Sequence, residues 1–240
     1  MLIDVFAAYN HVVDKYMREK TAIIVDVLRA TSTIITALDN GCQQIIPADE
    51  IDEALNVAQT MKSDQVKMGG ERNADKITGF EFGNSPFEYT REAVEGKTVI
   101  MTTSNGTRAI RKSRAANKVL LGGFINATAV AQAAINEGRD LCIVCAGTGQ
   151  KFSMDDAMAV GAIIQRIRQL NGNLDIDSDD LGIACEMLYL KYRDNIREGV
   201  KYARHYIRLM ELGLNEDIDY CLQEDIINLV PVYSDGLITI

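Results

Sequence analysis

The sequence predicts an α/β fold in which a largely parallel sheet is flanked by helices. Strand patterns alternate with helical spacing over the first 170 residues, as in proteins with parallel sheets. The apolar run at residues 22–25 leads through Asp26 and Arg29 into the hydroxyl-rich start of an apolar helix, which is typical of a central parallel strand and its following helix. The third observation is an internal repeat.

This repeat places residues 25–46 in step with residues 99–120 without gaps, at an offset of 74 residues. In both segments a strand, a hydroxyl-rich turn, a helix and a second strand follow in the same order. We therefore predict one domain over residues 1–240, with two halves related by duplication at about 21–95 and 96–172 and a mainly helical C-terminal portion at 178–240. Two such halves are expected to present their loops to one cleft beyond the carboxyl ends of their strands.

In the first half, β-branched runs and helical spacing of apolar residues predict the elements. Strands are expected at residues 2–6, 22–25, 44–47 and 65–68, and helices at 33–38 and 51–61. Asn40 and Gly41 are a helix stop signal. Ser85, Pro86 and Glu88 form the pattern of a capping box that would start a further helix.

In the second half, strands are expected at residues 98–103, 118–121 and 141–146, and helices after the 104–108 turn and at 126–137 and 157–170. The last of these helices is expected to stop at Asn171 and Gly172. Beyond residue 178, helices are predicted at 181–193, 196–212 and 218–221, and strands at 229–232 and 237–240. Pro231 makes the first of these a short or edge strand, because Pro cannot donate to the ladder.

The composition argues against several partners. The net charge is −9, from 34 acidic against 25 basic residues, whereas nucleic acids and anionic membranes attract an excess of Lys and Arg. No apolar run approaches about 18 residues and Asp4 interrupts the first segment, so neither a membrane span nor a signal peptide is expected. The five Cys lie in apolar surroundings, as reduced core residues of a cytoplasmic protein do. Cys142 and Cys145 should face opposite sides of a strand, which argues against a zinc site.

Four loops follow predicted strands, at residues 26–33, 69–85, 102–108 and 147–156. They hold four candidate metal ligands: Asp26, Glu71, Asp155 and Asp156. Carboxylates without His or Cys favour Mg²⁺, which prefers a few carboxylates, retained waters and phosphate oxygens. His11 and His205 lie outside these loops, so no general-base His is expected. Acidic residues also stabilise a first helical turn, which is the structural alternative for Asp155 and Asp156.

The same loops predict an anion site. Arg29 and Arg108 carry guanidinium groups suited to phosphate or sulfonate oxygens, and helix N-termini add backbone N–H groups. Small donors extend the candidate site: Thr31, Ser32, Thr33, Asn84, Ser85, Asn105, Gly106 and Thr107. Helix capping is the alternative explanation for Ser85 and residues 31–33. Nucleotide binding is weakly supported, because the Gly147-Thr148-Gly149 turn lacks the rest of a dinucleotide fingerprint or P-loop.

Six motifs carry a resemblance to a known family: VDVLRATSTI from Val25, GE at Gly70, GFEFGNSP from Gly79, TTSNGTRAI from Thr102, CAGTG from Cys145 and FSMDDA from Phe152. In this order and spacing they resemble the 2-phosphosulfolactate phosphatase family over about residues 25–161, and LGLNEDIDYCLQED and LVPVY near the C-terminus belong to the same pattern. The resemblance implies a magnesium-dependent phosphatase that converts 2-phospho-3-sulfolactate to 3-sulfolactate and inorganic phosphate, a step toward coenzyme M. It also implies an α/β fold of two related halves.

Residues and resemblance together predict a magnesium-assisted phosphatase of a small, multiply anionic hydroxy-acid phosphate. Mg²⁺ would be held by Asp26, Glu71 and one of the adjacent pair Asp155 and Asp156, while Arg29 and Arg108 would neutralise the substrate. The sequence leaves open whether water attacks phosphorus directly or Asp26 forms an aspartyl-phosphate. It also leaves open the physiological substrate and whether the protein is a homo-oligomer. A metal-dependent lyase or isomerase and a non-catalytic anion-binding regulator are the alternatives. The carboxylates argue against the regulator, because negative charge does not help a pure anion binder.

Overall fold

The computed structural model describes residues 1–62, 64–170, 172 and 175–240, and their eleven strands form one mixed, mostly parallel sheet. The strands, numbered in chain order, are β1 (Leu2–Phe6), β2 (Thr21–Val25), β3 (Gln44–Ala48), β4 (Val66–Arg72), β5 (Asp75–Lys76), β6 (Thr98–Thr102), β7 (Lys118–Gly122), β8 (Leu141–Cys145), β9 (Asp177–Ser178), β10 (Val232–Ser234) and β11 (Leu237–Thr239). The α/β class with a largely parallel sheet is confirmed.

Eleven α-helices cover the sheet within the described part of the chain. They are α1 (Asp14–Met17), α2 (Ala30–Asp39), α3 (Ile51–Gln59), α4 (Arg91–Val94), α5 (Gly106–Lys112), α6 (Ala127–Asn136), α7 (Met154–Leu170), α8 (Asp180–Tyr192), α9 (Ile196–Val200), α10 (Arg204–Glu211) and α11 (Asn215–Cys221). The predicted helical character after residue 178 is confirmed. Asn171, part of the predicted stop of α7, lies outside the described residues.

The sheet consists of two groups joined by a hairpin, and within them all strands are parallel except β5, which pairs antiparallel with β4 at one edge. Its order is β5-β4-β6-β3-β11-β10-β7-β2-β8-β1-β9. The antiparallel hairpin β10–β11 lies between the groups, with Val232 paired to Leu120 of β7 and Ile238 paired to Ile45 of β3. The strand predicted at 229–232 therefore forms slightly later and inside the sheet, where it stays short because Pro231 precedes it.

The central strand β2 is buried along its whole length, between β7 and β8. Ile23 and Val25 face a core shared with α6 and α7, whereas Ala22 and Ile24 face a second core shared with α2 and α5. Burial of both faces explains why the strand is a continuous apolar run instead of an alternating one. β2 is therefore a rigid base for the residues that follow it.

Three predicted elements differ from the structure. α2 begins at Ala30, not Thr33, and the residues expected to cap it lie in its first turn. The expected capping box at Ser85 is wrong: Ser85 Oγ donates to Asp217 Oδ1 at 2.8 Å, and residues 86–88 form a single 3₁₀ turn. The helix predicted at 196–212 is two helices, because the chain is extended at Ala203, where α10 begins in a new direction.

Both segments of the internal repeat have the same local order. Residues 25–46 run from the end of β2 through α2 into β3, and residues 99–120 run from β6 through α5 into β7. The strands of the two segments pair across the repeat, β2 with β7 and β3 with β6. A common origin of the two segments remains our hypothesis for this symmetry.

The cysteines are free and buried in the described structure. Cys142 packs into one core and Cys145 into the other, which confirms that they face opposite sides of β8. Among the described residues, no helix combines the length and the apolar character that crossing a membrane requires.

Candidate active site

A cavity of about 620 Å³ lies at the ends of β2, β4, β6 and β8. Each of the four predicted loops contributes to its wall, and α10 supplies a further wall. The residues that line it are Tyr9, Asp26, Leu28, Arg29, Glu71, Arg72, Asn73, Ala74, Asn84, Ser104, Asn105, Arg108, Thr148, Gly149, Gln150, Arg204, His205, Arg208 and Leu209. Ligands commonly bind beyond the carboxyl ends of parallel strands, as this cavity would allow.

Asp26 follows β2 directly and lies at the base of the cavity with 4% of its surface exposed. Its Oδ1 accepts a long hydrogen bond of 3.4 Å from Ala30 N, and no described residue donates to Oδ2. Burial raises the pKa of the Asp26 carboxyl, and the nearby charge of His205 lowers it. The charges of Asp155 and Glu71 raise it further, and the resulting pKa is about 6. The free oxygen can therefore receive a ligand, a cation or a proton.

Gly106 allows the two repeated turns to meet at Asp26. A Cβ at position 106 would lie 2.4 Å from Ala30 Cβ and 2.7 Å from Asp26 Oδ2. These distances are shorter than van der Waals contact allows, so a residue with a side chain would displace the carboxylate. The turns after β2 and β6 thus share one cavity, as the repeat predicts.

Glu71, near the end of β4, is the second carboxylate on the cavity wall. Its Oε1 accepts from Ser104 N at 2.7 Å, and its Oε2 accepts from Ala74 N at 2.8 Å and Ser104 Oγ at 3.1 Å. These bonds fix the carboxylate between the loops after β4 and β6. Each carboxylate oxygen has further lone pairs, so Glu71 can still bind a cation.

Arg29 is a buried cation held by the C-terminal segment. Its Nη1 donates to Asp217 Oδ2 at 2.5 Å and its Nη2 donates to Ala74 O at 3.2 Å. The Arg29 and Asp217 side chains are only 3% and 4% exposed. α11 therefore fixes the guanidinium group whose position in the sequence predicted an anion site.

Arg108 and Arg72 bring further positive charge to the wall. Arg108 Nη2 donates to Glu50 Oε1 at 2.7 Å, and Arg72 Nη2 donates to Thr102 Oγ1 at 2.9 Å. Arg108 Nε and Asn84 Oδ1 are buried polar atoms that have no hydrogen-bond partner within the described ranges. Since buried polar groups are normally paired, these atoms indicate that the cavity accepts a polar ligand.

Sequence reasoning missed the contribution of α10. Arg204, His205 and Arg208 lie in the first turns of this helix, at positions i, i+1 and i+4, and all three line the cavity. Arg208 Nε donates to Asn73 O at 3.2 Å, which ties α10 to the turn after β4. The sequence signal that could have identified this contribution was a group of basic residues on one helix in a protein of net charge −9. The expectation that no His is available was wrong, because α10 folds back over the loops.

Asp155 and Asp156 have other roles and do not line the cavity. Asp156 accepts from Val27 N at 3.0 Å and Gly147 N at 2.9 Å, so it joins the loops after β2 and β8. Burial, with the charges of Asp155 and Asp26, raises the pKa of Asp156 well above its ordinary value. Asp155 Oδ2 lies 3.4 Å from His205 Nδ1 in an ion pair. Both carboxylates therefore stabilise residues of the cavity wall without being part of it.

Most of the predicted small donors also lie behind the wall. Thr31 Oγ1 donates to Asp26 O, Ser32 Oγ to Val27 O and Thr33 Oγ1 to Asn84 O, each at 2.8 to 2.9 Å. Their hydroxyls are satisfied by nearby carbonyls, as is common in and beside a first helical turn. Among the predicted donors, Asn84 and Asn105 line the cavity, whereas Thr31, Ser32, Thr33, Ser85, Gly106 and Thr107 do not. Thr107 instead exchanges hydrogen bonds with Thr103.

The four predicted metal ligands do not converge. In the described part of the chain, no group of three or more His, Cys, Asp and Glu side chains is arranged to hold a metal ion. Asp26 and Glu71 are the two carboxylates on the described cavity wall. This donor set fits Mg²⁺, which usually binds through one or two carboxylates, waters and substrate phosphate oxygens.

The chain is similar over its whole length to proteins of one family. The sequence model of 2-phosphosulpholactate phosphatase matches residues 8–236. Proteins named "Probable 2-phosphosulfolactate phosphatase" are 48% identical in Clostridium beijerinckii, with 100% of this chain and 99% of the relative covered, and 43% identical in Caldanaerobacter subterraneus, with 99% and 98% covered. A Clostridium acetobutylicum protein of the same name is 43% identical, with 98% of this chain and 99% of the relative covered. The chain therefore belongs to the 2-phosphosulpholactate phosphatase family of enzymes.

Proposed function

We propose that this protein is a magnesium-dependent phosphatase that hydrolyses 2-phospho-3-sulfolactate, or a similar small hydroxy-acid phosphate, to the hydroxy acid and inorganic phosphate. One observation carries the proposal: two carboxylates lie among five arginines and a histidine on one cavity wall. The names of the full-length relatives support the substrate class. A cavity of this charge would suit a ligand with phosphate, carboxylate and sulfonate groups.

Asp26 and Glu71 are the residues that would hold Mg²⁺. When bound, the ion would polarise the phosphoryl oxygens and offset their negative charge. The firm hydrogen bonds of Glu71 keep one ligand fixed, while the free Oδ2 of Asp26 remains available. Asp26 can alternatively attack phosphorus itself, and the same free oxygen serves either role.

The arginines would bind the anionic groups of the substrate. Arg29 is held in place by Asp217, so little conformational entropy is lost when its remaining N–H groups bind an oxyanion. Arg204 also lines the cavity but makes no ion pair with any described residue, so its side chain is less constrained than that of Arg29. Fixed cations would position the reacting phosphate, and mobile ones would accommodate the rest of the molecule.

Metal removal tests the cofactor and the reaction together. Inorganic phosphate release is measured across a panel of hydroxy-acid phosphates, with Mg²⁺, with excess EDTA, and with Mg²⁺ restored after EDTA. We expect activity with Mg²⁺, loss with EDTA and recovery on restoration, because the wall supplies hard oxygen ligands. Full activity in excess EDTA would contradict the metal assignment, and no phosphate release from any ester would contradict the phosphatase.

Replacing Arg29 or Arg108 by Lys tests the anion-binding role. Lys keeps the charge but loses the planar fork of donors, so kcat/KM should fall by about 10-fold or more, equivalent to about 1.4 kcal/mol. Arg91→Lys is a matched control, because Arg91 is exposed and pairs only with Glu95 among described residues. Wild-type kinetics in both cavity variants would remove these arginines from the substrate site.

A further inference from the structure

His205 has a carboxylate behind it and a cavity in front of it. Its Nδ1 lies 3.4 Å from Asp155 Oδ2, and the other oxygen of Asp155 accepts from Ser153 Oγ at 2.5 Å. The Asp155 carboxylate is fully buried, whereas the His205 side chain is 18% exposed and lines the cavity. A buried carboxylate in this position attracts the charged imidazole ring and favours its observed orientation.

The second ring nitrogen is the one that remains for a ligand. The two nitrogens lie on different sides of the ring, and Nε2 makes no hydrogen bond to any described residue. The other cations on the wall are arginines, which keep their protons at all ordinary pH values. Of the cationic groups that line the described cavity, His205 is therefore the one that can give up a proton.

We propose that His205, positioned by Asp155, is the general acid that protonates the leaving oxygen of the phosphate ester. The proposal rests on the proposed phosphatase function. A hydroxy acid leaves as an alkoxide, which is strongly basic, so that proton transfer from a positioned acid should lower the barrier. Asp155 holds the ring and stabilises its charged form without itself contacting the substrate.

In the first case, water attacks phosphorus directly. The P–O bond to water forms while the ester P–O bond breaks, and the bonding electrons remain with the ester oxygen. That oxygen takes the Nε2 proton and leaves as the alcohol. One proton of the attacking water passes to solvent, and solvent returns a proton to Nε2 before the next turnover. If Asp26 attacks first, the same proton transfer accompanies formation of an acyl phosphate on Asp26, and water then breaks its P–O bond to release phosphate and regenerate the carboxylate.

The electrostatic surroundings support the charged form of His205. Burial lowers the pKa of His205, but contact with Asp155 and the charges of Asp26 and Asp156 outweigh this, and the pKa rises to about 9. Burial also acts on Asp155, whose pKa His205 and Ser153 nevertheless hold below its ordinary value. Near neutral pH the pair is therefore imidazolium and carboxylate, with a proton available on Nε2.

A series of phosphate esters with leaving groups of different acidity tests the role of His205. His205→Gln keeps a polar side chain of similar size but cannot supply a proton. We expect kcat/KM to fall by about 100-fold or more for the hydroxy-acid phosphate and only slightly for p-nitrophenyl phosphate, whose phenolate leaves without a proton. Asp155→Asn should show a smaller loss with the same dependence on leaving group.

Arg204→Gln is the matched control, since it removes a cation from the same turn of α10 without removing an acid. Among esters of equal charge, its loss should be the same whatever the acidity of the leaving group. A uniform loss in His205→Gln across the series would overturn the acid role, and absence of phosphate release by the wild-type enzyme would instead overturn the phosphatase.

Imidazole NMR of the wild-type protein provides a test that does not depend on turnover, because the chain contains only two His. Addition of inorganic phosphate should shift the Nε2 resonance of His205 and leave that of His11 unchanged. In Asp155→Asn the proton distribution between the two nitrogens of His205 should change. A His205 Nε2 resonance that does not shift when phosphate is added would overturn the proposal.

Discussion

Replacing Asp26 by Asn is expected to give a folded protein with turnover reduced by at least about 100-fold, the range typical of preorganised electrostatic groups. Asn has nearly the same shape and can still accept the weak hydrogen bond from Ala30 N. It cannot bind Mg²⁺ as a carboxylate or attack phosphorus. The measurement is kcat for phosphate release at saturating Mg²⁺, together with circular dichroism to check the fold.

The same variant should not lose stability near neutral pH. Burial raises the pKa of Asp26 from 3.8 to about 6, so the ionised carboxylate opposes folding. This penalty is absent below about pH 4 and complete above about pH 6, because the folded protein holds its proton over that interval while the unfolded chain releases it. The melting temperature of Asp26→Asn, relative to wild type, should therefore rise as the pH increases through this window.

Asp140→Asn is the control for both measurements. Asp140 lies in the turn before β8, away from the cavity, and its Oδ1 accepts from Leu2 N, a bond that Asn can also make. This variant should keep wild-type turnover. A folded Asp26→Asn protein with near-normal turnover would exclude Asp26 both as a metal ligand and as a nucleophile.

Replacing Asp217 by Ala should cost about 3–5 kcal/mol of the free energy of unfolding, since it leaves a buried charge unpaired. Asp217 lies on α11 and pairs with Arg29 at 2.5 Å, and it also accepts from Ser85 Oγ. The Arg29 and Asp217 side chains are only 3% and 4% exposed, so water offsets the lost carboxylate only in part. Urea denaturation of the variant and the wild type measures the difference.

Two further measurements separate charge from packing. The double variant Arg29→Met with Asp217→Leu removes both charges and should recover most of the stability, as buried ion pairs replaced by apolar residues often do. Inorganic phosphate should raise the melting temperature of Asp217→Ala more than that of the wild type, because an anion in the cavity can pair with Arg29. Equal stability of Asp217→Ala and wild type would contradict this account.

The sequence was sufficient to locate the base of the site, because its signals there are local. A strand buried on both faces must be apolar throughout, so the first carboxylate after β2, Asp26, was conspicuous. The loops after the other parallel strands followed from the alternation of strands and helices. For this reason Glu71, Arg29 and Arg108 could be placed near one another without coordinates.

Tertiary packing determined what could not be predicted. His205 is separated from Asp155 by a long stretch of chain, and only the return of α10 over the loops joins them. The hydroxyls of residues 31–33 could equally face a ligand or nearby carbonyls, and the composition of the turn does not distinguish the two. Asp155 and Asp156 are adjacent in sequence, yet one supports a ring and the other ties two loops.

β10 and β11 lie at the centre of the sheet but follow all the other described strands in the chain. They are therefore synthesised last. Until then β3 and β7 each lack a partner on one side, and unpaired strand edges invite pairing with other chains. The cavity takes its loops from both groups that the hairpin joins, so an unfinished chain has no complete site. We therefore expect a nascent chain that lacks the hairpin to expose two unpaired strand edges and to form the complete site only once the hairpin is added.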